Sequence, residues 1–192
     1  MAALESANKI KAKFGDLVAE PMEFRGEISL KIADPEKIAE VCGFAKAQLG
    51  FNYLVDISSV DNYGEDPRWT VVYHLRAIDN GDEIRIKTDV SEEKSALPSV
   101  LSIWRTANWH EREIYDMMGI RFAGHPDLRR ILMWEGYPYH PLRKDFPLAG
   151  KPTDMPGVAF TKPAPLEGGP FVTIPSPGDA IGREPRVRTT EE

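Results

Sequence analysis

Cysteine is almost missing from this chain, since Cys42 is the only one among 192 residues. A single thiol cannot form an internal disulfide, and an iron–sulfur cluster needs about four thiolates. Long apolar runs are missing too, because no segment approaches the ~18 residues of a membrane-spanning helix. The first residues, MAALESANKIKAKFGD, have neither the apolar core of a secretory signal nor the arginine typical of a mitochondrial transit peptide. We therefore expect no iron–sulfur site in this chain and no targeting segment at its start.

Positive charge is in the minority, with 24 Lys and Arg against 30 Asp and Glu, which gives a formal net charge of -6. Without a basic stripe the chain is a poor candidate for binding nucleic acid. Charged residues make up 28% and the hydrophobic set 42%, an ordinary balance for a soluble globular domain. The length suits one compact domain with room for an appendage.

Several motifs of catalytic chemistry are absent from the sequence. It has no Gly-rich strand-to-helix loop for NAD or flavin, no phosphate loop with its lysine, and no Gly-x-Ser-x-Gly turn. His110-Glu111 begins like the helix of a zinc peptidase, but the second histidine of that pattern would fall at Ile114. His125 and His140 could still meet in space and bind a metal with an acid. The simpler interpretation is that they form hydrogen bonds to loop backbone or to acids.

Hydrophobic periodicity predicts the order of the secondary-structure elements. The predicted elements are a helix over residues 5–20, a strand over Glu27–Ile32, a helix from Asp34 to Gly50, strands over Phe51–Val60, Trp69–Ile78 and Glu83–Val90, and a helix over Leu97–Thr106. Asp34 is placed to cap its helix, and Asn80-Gly81 suits a tight hairpin turn between two strands. The pattern predicts an α+β fold, a two-layer sandwich in which helices pack on a mostly antiparallel sheet.

The stretch from Asn108 to Pro147 is the densest in charge, aromatic residues and histidine. Asn108 and Glu111 resemble a capping box at the start of a helix, and Gly119 suits its C-terminal cap. On this helix, helical spacing puts Ile114, Met117 and Met118 on a face toward the core. It puts Trp109, Arg112, Glu113 and Asp116 on another face.

Charged side chains in this stretch form the candidate functional site. The candidate residues are Glu111, Arg112, Glu113, Asp116, His125, Arg129, Arg130, His140, Arg143, Lys144 and Asp145. Buried charges are costly unless paired, so one interpretation is an intrachain ion-pair network that fixes residues 122–134 against the helix. Another is a polar interface with a partner subunit, which the interleaved aromatic residues favour over a plain solvated helix face.

Proline becomes frequent from Lys144 onward, which disfavours helices and central strands. We therefore divide the chain into a compact α+β domain over residues 1–143 and an extended C-terminal arm over residues 144–192. The arm carries single apolar residues at Met155, Val158, Phe160, Phe171, Val172 and Ile174. Spaced large apolar groups favour an arm that wraps a partner subunit, and the alternative is a disordered tail.

Three segments of the central stretch resemble a known family. The first is ERE, two residues, DMM, six residues, His, three residues, Arg, which runs from Glu111 to Arg129. The others are GHPDLRRIL from Gly124 to Leu132 and HPLRKDFPL from His140 to Leu148. Together they resemble the signature of the C subunit, also called the 30 kDa subunit, of respiratory complex I, the proton-translocating NADH:quinone oxidoreductase.

The resemblance implies a non-catalytic structural or assembly subunit in the peripheral arm of that complex. Such a protein packs on the D subunit, which helps form the quinone site, and lies near the B subunit. It sits peripherally on the cytoplasmic side of the bacterial inner membrane. It carries no catalytic, cofactor or metal site of its own, because FMN and the iron–sulfur clusters belong to partner subunits.

Three other interpretations stay open at this point. Related subunits occur in membrane-bound hydrogenases and in quinone oxidoreductases that take electrons from donors other than NADH, and the local motifs do not separate these. A stand-alone metal-dependent hydrolase would use His110, His125 or His140 with Glu111 or Glu113. An adaptor domain outside energy metabolism is the last alternative.

Overall fold

The computed structural model describes residues 2–148 and 150–151. Its helices are α1 (Ala2–Phe14), α2 (Ile38–Leu49) and α3 (Ala107–Met118), and its strands are β1 (Met22–Phe24), β2 (Glu27–Ile32), β3 (Tyr53–Asp61), β4 (Trp69–Arg76), β5 (Glu83–Val90), β6 (Ala96–Pro98) and β7 (Arg121–Ala123). Five strands form one sheet in the order β1-β2-β5-β4-β3. Strands β2 and β5 run parallel and the other neighbours run antiparallel. The short strands β6 and β7 pair separately and in parallel.

One face of the large sheet carries the core. Along β4, Trp69, Val71, Tyr73 and Leu75 are fully buried, and the residues between them are only partly buried. This period-two alternation is what a strand with one covered face requires. The helices supply the opposing apolar side chains, such as Ile10, Val41 and Ile114. The predicted α+β sandwich with a mostly antiparallel sheet is therefore confirmed.

Several elements lie where the sequence predicts them. The strands over Glu27–Ile32 and Glu83–Val90 have the predicted bounds. A single 3-10 turn over Pro35–Lys37 precedes α2, and the Asp34 side chain caps this turn by accepting the backbone N–H of Glu36 at 3.0 Å. Gly50 ends α2 in the left-handed conformation, with φ +77°. The local capping rules are thus sufficient for this part of the chain.

The predicted helix over Leu97–Thr106 is wrong. Residues Ala96–Pro98 form strand β6, because their backbone pairs with β7, and the N–H of Ser99 extends this pairing to the carbonyl of Ala123 at 2.8 Å. Turns follow up to α3, and they bury Val100 and Trp104 at a spacing that imitates a helix. The three-residue strands β1 and β7 were not predicted. Such short strands leave no alternation to detect.

The predicted bounds of two helices also need correction. Helix α1 ends at Phe14 because Gly15 takes a positive φ of +58°, so Val18 instead forms a β-bridge with Ile32. Helix α3 begins at Ala107, and Asn108 is not its cap. The turn before α3 already supplies carbonyl acceptors, since the N–H of Asn108 bonds to the carbonyl of Arg105 at 3.3 Å. No side-chain cap is needed there, which leaves Glu111 for another role.

The chain divides into two units, Met1–Asp145 and Phe146–Glu192. The first unit extends two residues beyond the predicted domain limit at 143. The predicted arm over residues 144–192 lies outside the described residues from position 152 onward, so its course stays a prediction. Within the described part of the chain, no helix has the length and apolarity to cross a membrane.

Candidate functional site

Asp116, on the last turn of α3, holds an irregular segment of the chain against the helix. Its Oδ2 accepts the backbone N–H groups of Ile131 (3.0 Å), Leu132 (2.7 Å) and Met133 (2.8 Å). Its Oδ1 accepts Nη1 of Arg130 at 2.5 Å. We call these five residues the Asp116 cluster. One fully buried carboxylate thus satisfies three consecutive backbone donors and one guanidinium.

The protonation state of Asp116 follows from these contacts. Burial alone would raise the pKa of this carboxyl. The N–H of Met133, the Arg130 guanidinium and the N–H groups of Leu132 and Ile131 outweigh burial, and the pKa lies below its usual value. Asp116 is therefore ionised at neutral pH, as an acceptor of four hydrogen bonds should be.

Arg112, one turn before Asp116, binds the same segment through its backbone. Its Nε donates to the carbonyl of Arg129 at 3.2 Å, and its Nη2 donates to the carbonyl of Arg130 at 3.3 Å. The guanidinium also lies over the ring of Trp109 at 5.4 Å. Arg112 is buried, whereas Trp109 is 58% exposed. The arginine therefore braces an aromatic side chain that faces solvent.

The C-terminal carbonyls of α3 are bound by a second segment of the chain. His140 donates from Nδ1 to the carbonyl of Asp116 at 2.9 Å, and the N–H of Leu142 donates to Met117 at 3.2 Å. Arg143 donates from Nε to the carbonyl of Met118 at 2.6 Å. These carbonyls have no partner inside the helix, and a cation at this end suits the helix dipole. Burial lowers the pKa of His140, so the ring is neutral and carries its proton on Nδ1.

Arg68, just before β4, forms a second buried centre of charge that sequence reasoning missed. It binds Asp61 through both carboxylate oxygens, at 2.9 and 3.0 Å, and also contacts Glu92 at 2.6 Å and Asp145. The N–H of Lys144 donates to the same Asp61 at 2.8 Å. We call these five residues the Arg68 cluster. Hydrogen bonding to Arg68 holds the pKa of Asp61 below its usual value.

Trp69 connects the Arg68 cluster to the end of α3. The guanidinium of Arg68 lies 4.4 Å from its ring centre and that of Arg143 lies 5.2 Å away. The partners come from positions 61, 68, 92 and 145, so no local motif reveals them. The sequence feature that could have indicated this cluster is Arg68 itself, because a charge at the start of a buried strand needs a partner.

Glu111 is a third buried acid, and it differs from the other two. Its oxygens accept the N–H of Val100 at 2.7 Å and the hydroxyl of Ser99 at 2.6 Å. Among the described residues no lysine or arginine nitrogen lies within 4.0 Å of it, and the nearest basic atom is Nε2 of His125 at 4.0 Å. Burial raises the pKa of Glu111 to about 7, against the lowering effect of the two hydrogen bonds.

The structure thus brings the predicted site residues together in four groups around α3. Glu111 faces His125, and Arg112, Asp116 and Arg130 hold the segment after β7. His140 and Arg143 bind the helix end, and Lys144 and Asp145 belong to the Arg68 cluster. Two predicted residues lie apart on the surface: Arg129 pairs with exposed Asp127 at 2.9 Å, and the Glu113 side chain is exposed.

The histidines named in the metal hypothesis have separate partners. Nδ1 of His110 lies 3.2 Å from Asp56, His125 faces Glu111, and His140 binds the carbonyl of Asp116. In the part of the chain that the structure describes, no three His, Cys, Asp or Glu side chains are grouped as a metal site requires. The geometry of these residues therefore offers no support for the hydrolase alternative.

Apolar side chains lie exposed beside these polar clusters. Trp109 is 58%, Leu132 62% and Leu142 58% exposed. Leu132 belongs to the Asp116 cluster, and Leu142 belongs to the segment bound to the end of α3. The backbone of each is therefore hydrogen-bonded to the same helix. We call Trp109, Arg129, Leu132 and Leu142 the α3 surface. Exposed apolar groups on a fixed backbone, together with arginine, are typical of interfaces between proteins.

Comparison with known proteins gives consistent relatives. The family model described as "Respiratory-chain NADH dehydrogenase, 30 Kd subunit" matches residues 32–152. The C subunit of NADH-quinone oxidoreductase from Geotalea uraniireducens (strain Rf4) is 48% identical over 142 residues, which cover 74% of this chain and 86% of that protein. The C 2 subunit of NADH-quinone oxidoreductase from Rhizobium etli (strain CIAT 652) is 50% identical over 143 residues, which cover 73% and 75%.

Two solved structures have the same fold. The trypsin-resistant fragment (1–134) of Nqo5 is 32% identical with a TM-score of 0.58, and the match covers 67% of this chain and all of that one. A chain of the archaeal membrane-bound sulfane sulfur reductase is 23% identical with a TM-score of 0.63, and the match covers 75% and 85%. At that identity the second likeness extends to the fold alone.

Proposed function

Because this chain belongs to the family of the 30 kDa subunit of respiratory-chain NADH dehydrogenase, we propose that it is the C subunit of an NADH-quinone oxidoreductase complex and acts there as a scaffold. In this proposal the chain has no catalytic centre. FMN and the iron–sulfur clusters reside in partner subunits, which carry the electrons to quinone.

The observation that carries the scaffold role is the α3 surface. Leu132 and Leu142 lie on irregular segments, which would ordinarily lose much conformational entropy on binding. Here the Asp116 cluster and the helix-end contacts of His140 and Arg143 already fix those segments within the chain. A partner would meet preorganised apolar groups, so more of the contact energy would appear as affinity.

The proposed partners are the D subunit, at the quinone site, and the B subunit, next to it. The α3 surface would face the D subunit, and the predicted arm over residues 144–192 would extend the contact across a neighbour. The proposed location is the peripheral arm on the cytoplasmic side of the bacterial inner membrane. The resemblance of the ERE, GHPDLRRIL and HPLRKDFPL segments to the C subunit supports both assignments.

The test is a pair of charge substitutions on the α3 surface, Leu132→Asp and Leu142→Asp. Each puts a carboxylate into the proposed contact, where an unpaired buried charge is costly. We expect incorporation of each variant into the membrane complex to fall by at least about tenfold, which corresponds to about 1.4 kcal/mol of binding energy. Native gel electrophoresis and NADH:quinone activity of the membranes measure this.

Two equally exposed apolar residues elsewhere provide matched controls. Ile78, in the turn after β4, is 62% exposed, and Met22, on β1, is 59% exposed. Ile78→Asp and Met22→Asp should assemble normally, and all four isolated variants should unfold at the wild-type temperature. Normal assembly of both Leu132→Asp and Leu142→Asp would show that the α3 surface is not the docking site.

A second experiment identifies the electron donor. A tagged chain is recovered from mildly solubilised membranes and its partners are identified by mass spectrometry. We expect flavin-containing and iron–sulfur subunits with NADH:quinone activity. Recovery with hydrogenase subunits would keep the scaffold role but assign the chain to the related class of complexes.

A further inference from the structure

Glu111 is a fully buried acid whose charge has no strong partner. Its side chain and that of His125 have no exposed surface, and Nε2 of His125 lies 4.0 Å from Oε2 of Glu111. Asp61 and Asp116 are also buried, but each binds an arginine directly. An ionised carboxylate without such a partner is costly in a protein interior, whereas a protonated one is not.

The hydrogen bonds of Glu111 suit either protonation state. When Glu111 is ionised, Oε1 accepts the N–H of Val100 and Oε2 accepts the hydroxyl of Ser99. When a proton binds to Oε2, the carboxyl can donate to the Ser99 oxygen, because a hydroxyl can rotate and act as acceptor. The bond from Val100 to Oε1 is kept in both states. A lysine or arginine in place of Ser99 would have fixed the ionised state.

His125 extends this arrangement toward the surface. The N–H of Asp127 donates to Nδ1 of His125 at 3.1 Å, so the proton of the neutral ring is on Nε2. Nε2 is buried, makes no hydrogen bond to the described residues, and lies 4.0 Å from Oε2 of Glu111. Asp127 in turn pairs with the exposed Arg129. Glu111, His125, Asp127 and Arg129 thus form a series of neighbouring residues that reaches the α3 surface, with a gap of 4.0 Å between Glu111 and His125 and direct contacts beyond it.

The other titratable groups around Glu111 keep a constant charge. Burial raises the pKa of the Tyr73 hydroxyl on β4 and of the Cys42 thiol on α2, and the Glu111 charge raises both further, so both stay neutral. Arg112, the next residue on α3, binds the carbonyls of Arg129 and Arg130. Burial lowers the pKa of His125, with Arg112 lowering it further and with the Asn108 carbonyl and Asp127 opposing. Glu111 is therefore a group in this part of the core that can change charge around neutral pH.

We propose that Glu111, Ser99 and His125 form an interior proton-binding site, which takes up one proton from solvent on the Glu111 carboxylate and transmits its state to the exposed Asp127–Arg129 pair. No bond other than that O–H is made, and the charge of the core changes by one. This proposal goes beyond the scaffold role and does not depend on it, because the site lies within one chain and is tested without a partner.

The experiment is a pH titration of the full-length chain with ¹³C-labelled glutamate side chains, followed by NMR. We expect one carboxyl, absent in Glu111→Gln, to titrate near pH 7. Ser99→Ala should move that midpoint higher, because it removes a hydrogen bond that favours the ionised form. The amide signals of Asp127 and Arg129 should follow the same midpoint in the wild type and lose that dependence in His125→Gln.

Stability against pH gives a second readout with a defined sign. The folded-state pKa of Glu111 lies above the value of about 4.3 for an unfolded glutamate. Its contribution to stability is therefore complete below that value and is lost as the pH rises through about 7. We expect the folding equilibrium constant of the wild type to fall over this range by on the order of a hundredfold relative to Glu111→Gln.

Glu113→Gln is the matched control, because Glu113 is exposed two positions further along the same helix. It should remove a different carboxyl signal and leave the midpoint near pH 7 unchanged. A titration in which every glutamate has its midpoint below about 5.5 would overturn the proposal, since that is the ordinary range. A midpoint near 7 with no response at Asp127 or Arg129 would overturn the transmission to the surface.

Discussion

At the scale of single residues, the three buried acids of this domain show how local partners decide the state of a carboxylate. Asp61 binds an arginine through both oxygens, Asp116 binds an arginine and three backbone N–H groups, and Glu111 binds one backbone N–H and one hydroxyl. The pKa is lowered in the first two and raised in the third. Asp61 and Asp116 are therefore fixed anions, whereas Glu111 can exchange its proton.

Asp116→Ala tests how much one such anion contributes to folding. The substitution leaves the Arg130 guanidinium and three consecutive N–H groups without their acceptor, so we expect a loss of about 3–5 kcal/mol in the free energy of unfolding. Glu113→Ala, an exposed acid on the same helix, should change stability by less than about 0.5 kcal/mol. Chemical denaturation of the isolated chain measures both values. Equal stability of the two variants would contradict this account of the cluster.

The same variant has a pH signature opposite in sign to that of Glu111. The pKa of Asp116 is lowered in the folded state, so its contribution to stability is present above the unfolded value of about 3.9 and is lost as the pH falls through the lower folded-state value. The stability difference between wild type and Asp116→Ala should therefore shrink in acid. Ionisation of Glu111 should instead make the wild type less stable than Glu111→Gln, and this difference should develop as the pH rises from 4 to 7.

At the scale of secondary-structure elements, the two helices that end in a left-handed glycine allow a matched comparison. Gly50 after α2 has φ +77° and Gly119 after α3 has φ +82°. A Cβ at Gly50 would meet nothing within 4 Å, whereas one at Gly119 would contact Arg143 Nη2 and lie 2.7 Å from His140 Nε2. The two positions therefore share the backbone cost of alanine but differ in the steric cost.

Gly119→Ala should accordingly destabilise the domain more than Gly50→Ala. We expect about 1 kcal/mol for Gly50→Ala, from the backbone alone. Gly119→Ala should cost about 1–3 kcal/mol more, because His140 and Arg143 must shift away from the helix end that they bind. Thermal and chemical unfolding of both variants measure the difference. The account of the helix end would be wrong if the two glycines proved equally tolerant.

Elements with strong local signals could be predicted from the sequence, and elements defined by distant pairing could not. Strands β2 and β5 follow from alternation, the cap of the turn before α2 follows from Asp34, and the end of α2 follows from Gly50. Strand β6 exists because β7, more than twenty residues later, supplies its hydrogen bonds, so the burial of Val100 and Trp104 was misread as a helix. Periodicity reports which residues are buried but not which backbone pairs with which.

The candidate site shows the same division. The motif residues from Glu111 to Asp145 were identified because charge, histidine and aromatic residues are dense there. Their roles were not predictable, since Arg112 binds carbonyls and not a carboxylate, and Glu111 is an isolated acid and not part of a cap. Arg68, Asp61 and Glu92 were missed because only the fold brings these residues next to Asp145.

At the scale of the whole molecule, the first unit contains its own core and its own charged clusters. The core cluster draws on residues from α1 to the segment after β7, and the Arg68 cluster ends at Asp145. We therefore expect residues beyond Lys151 to be dispensable for folding of this unit. A chain that ends at Lys151 should unfold within about 2 °C of the full-length chain, a shift that corresponds to less than about 1 kcal/mol.

The removed residues should matter for assembly instead. The segment carries Met155, Val158, Phe160, Phe171, Val172 and Ile174, and burial of such side chains against a partner would contribute about 1.5–3 kcal/mol each before ordering costs are subtracted. We expect the shortened chain to be incorporated at least about tenfold less than the full-length chain. A full-length chain with these six residues changed to serine separates apolar contact from mere length. It should assemble as poorly as the shortened chain, and normal assembly would show that the arm does not bind its partner through these side chains.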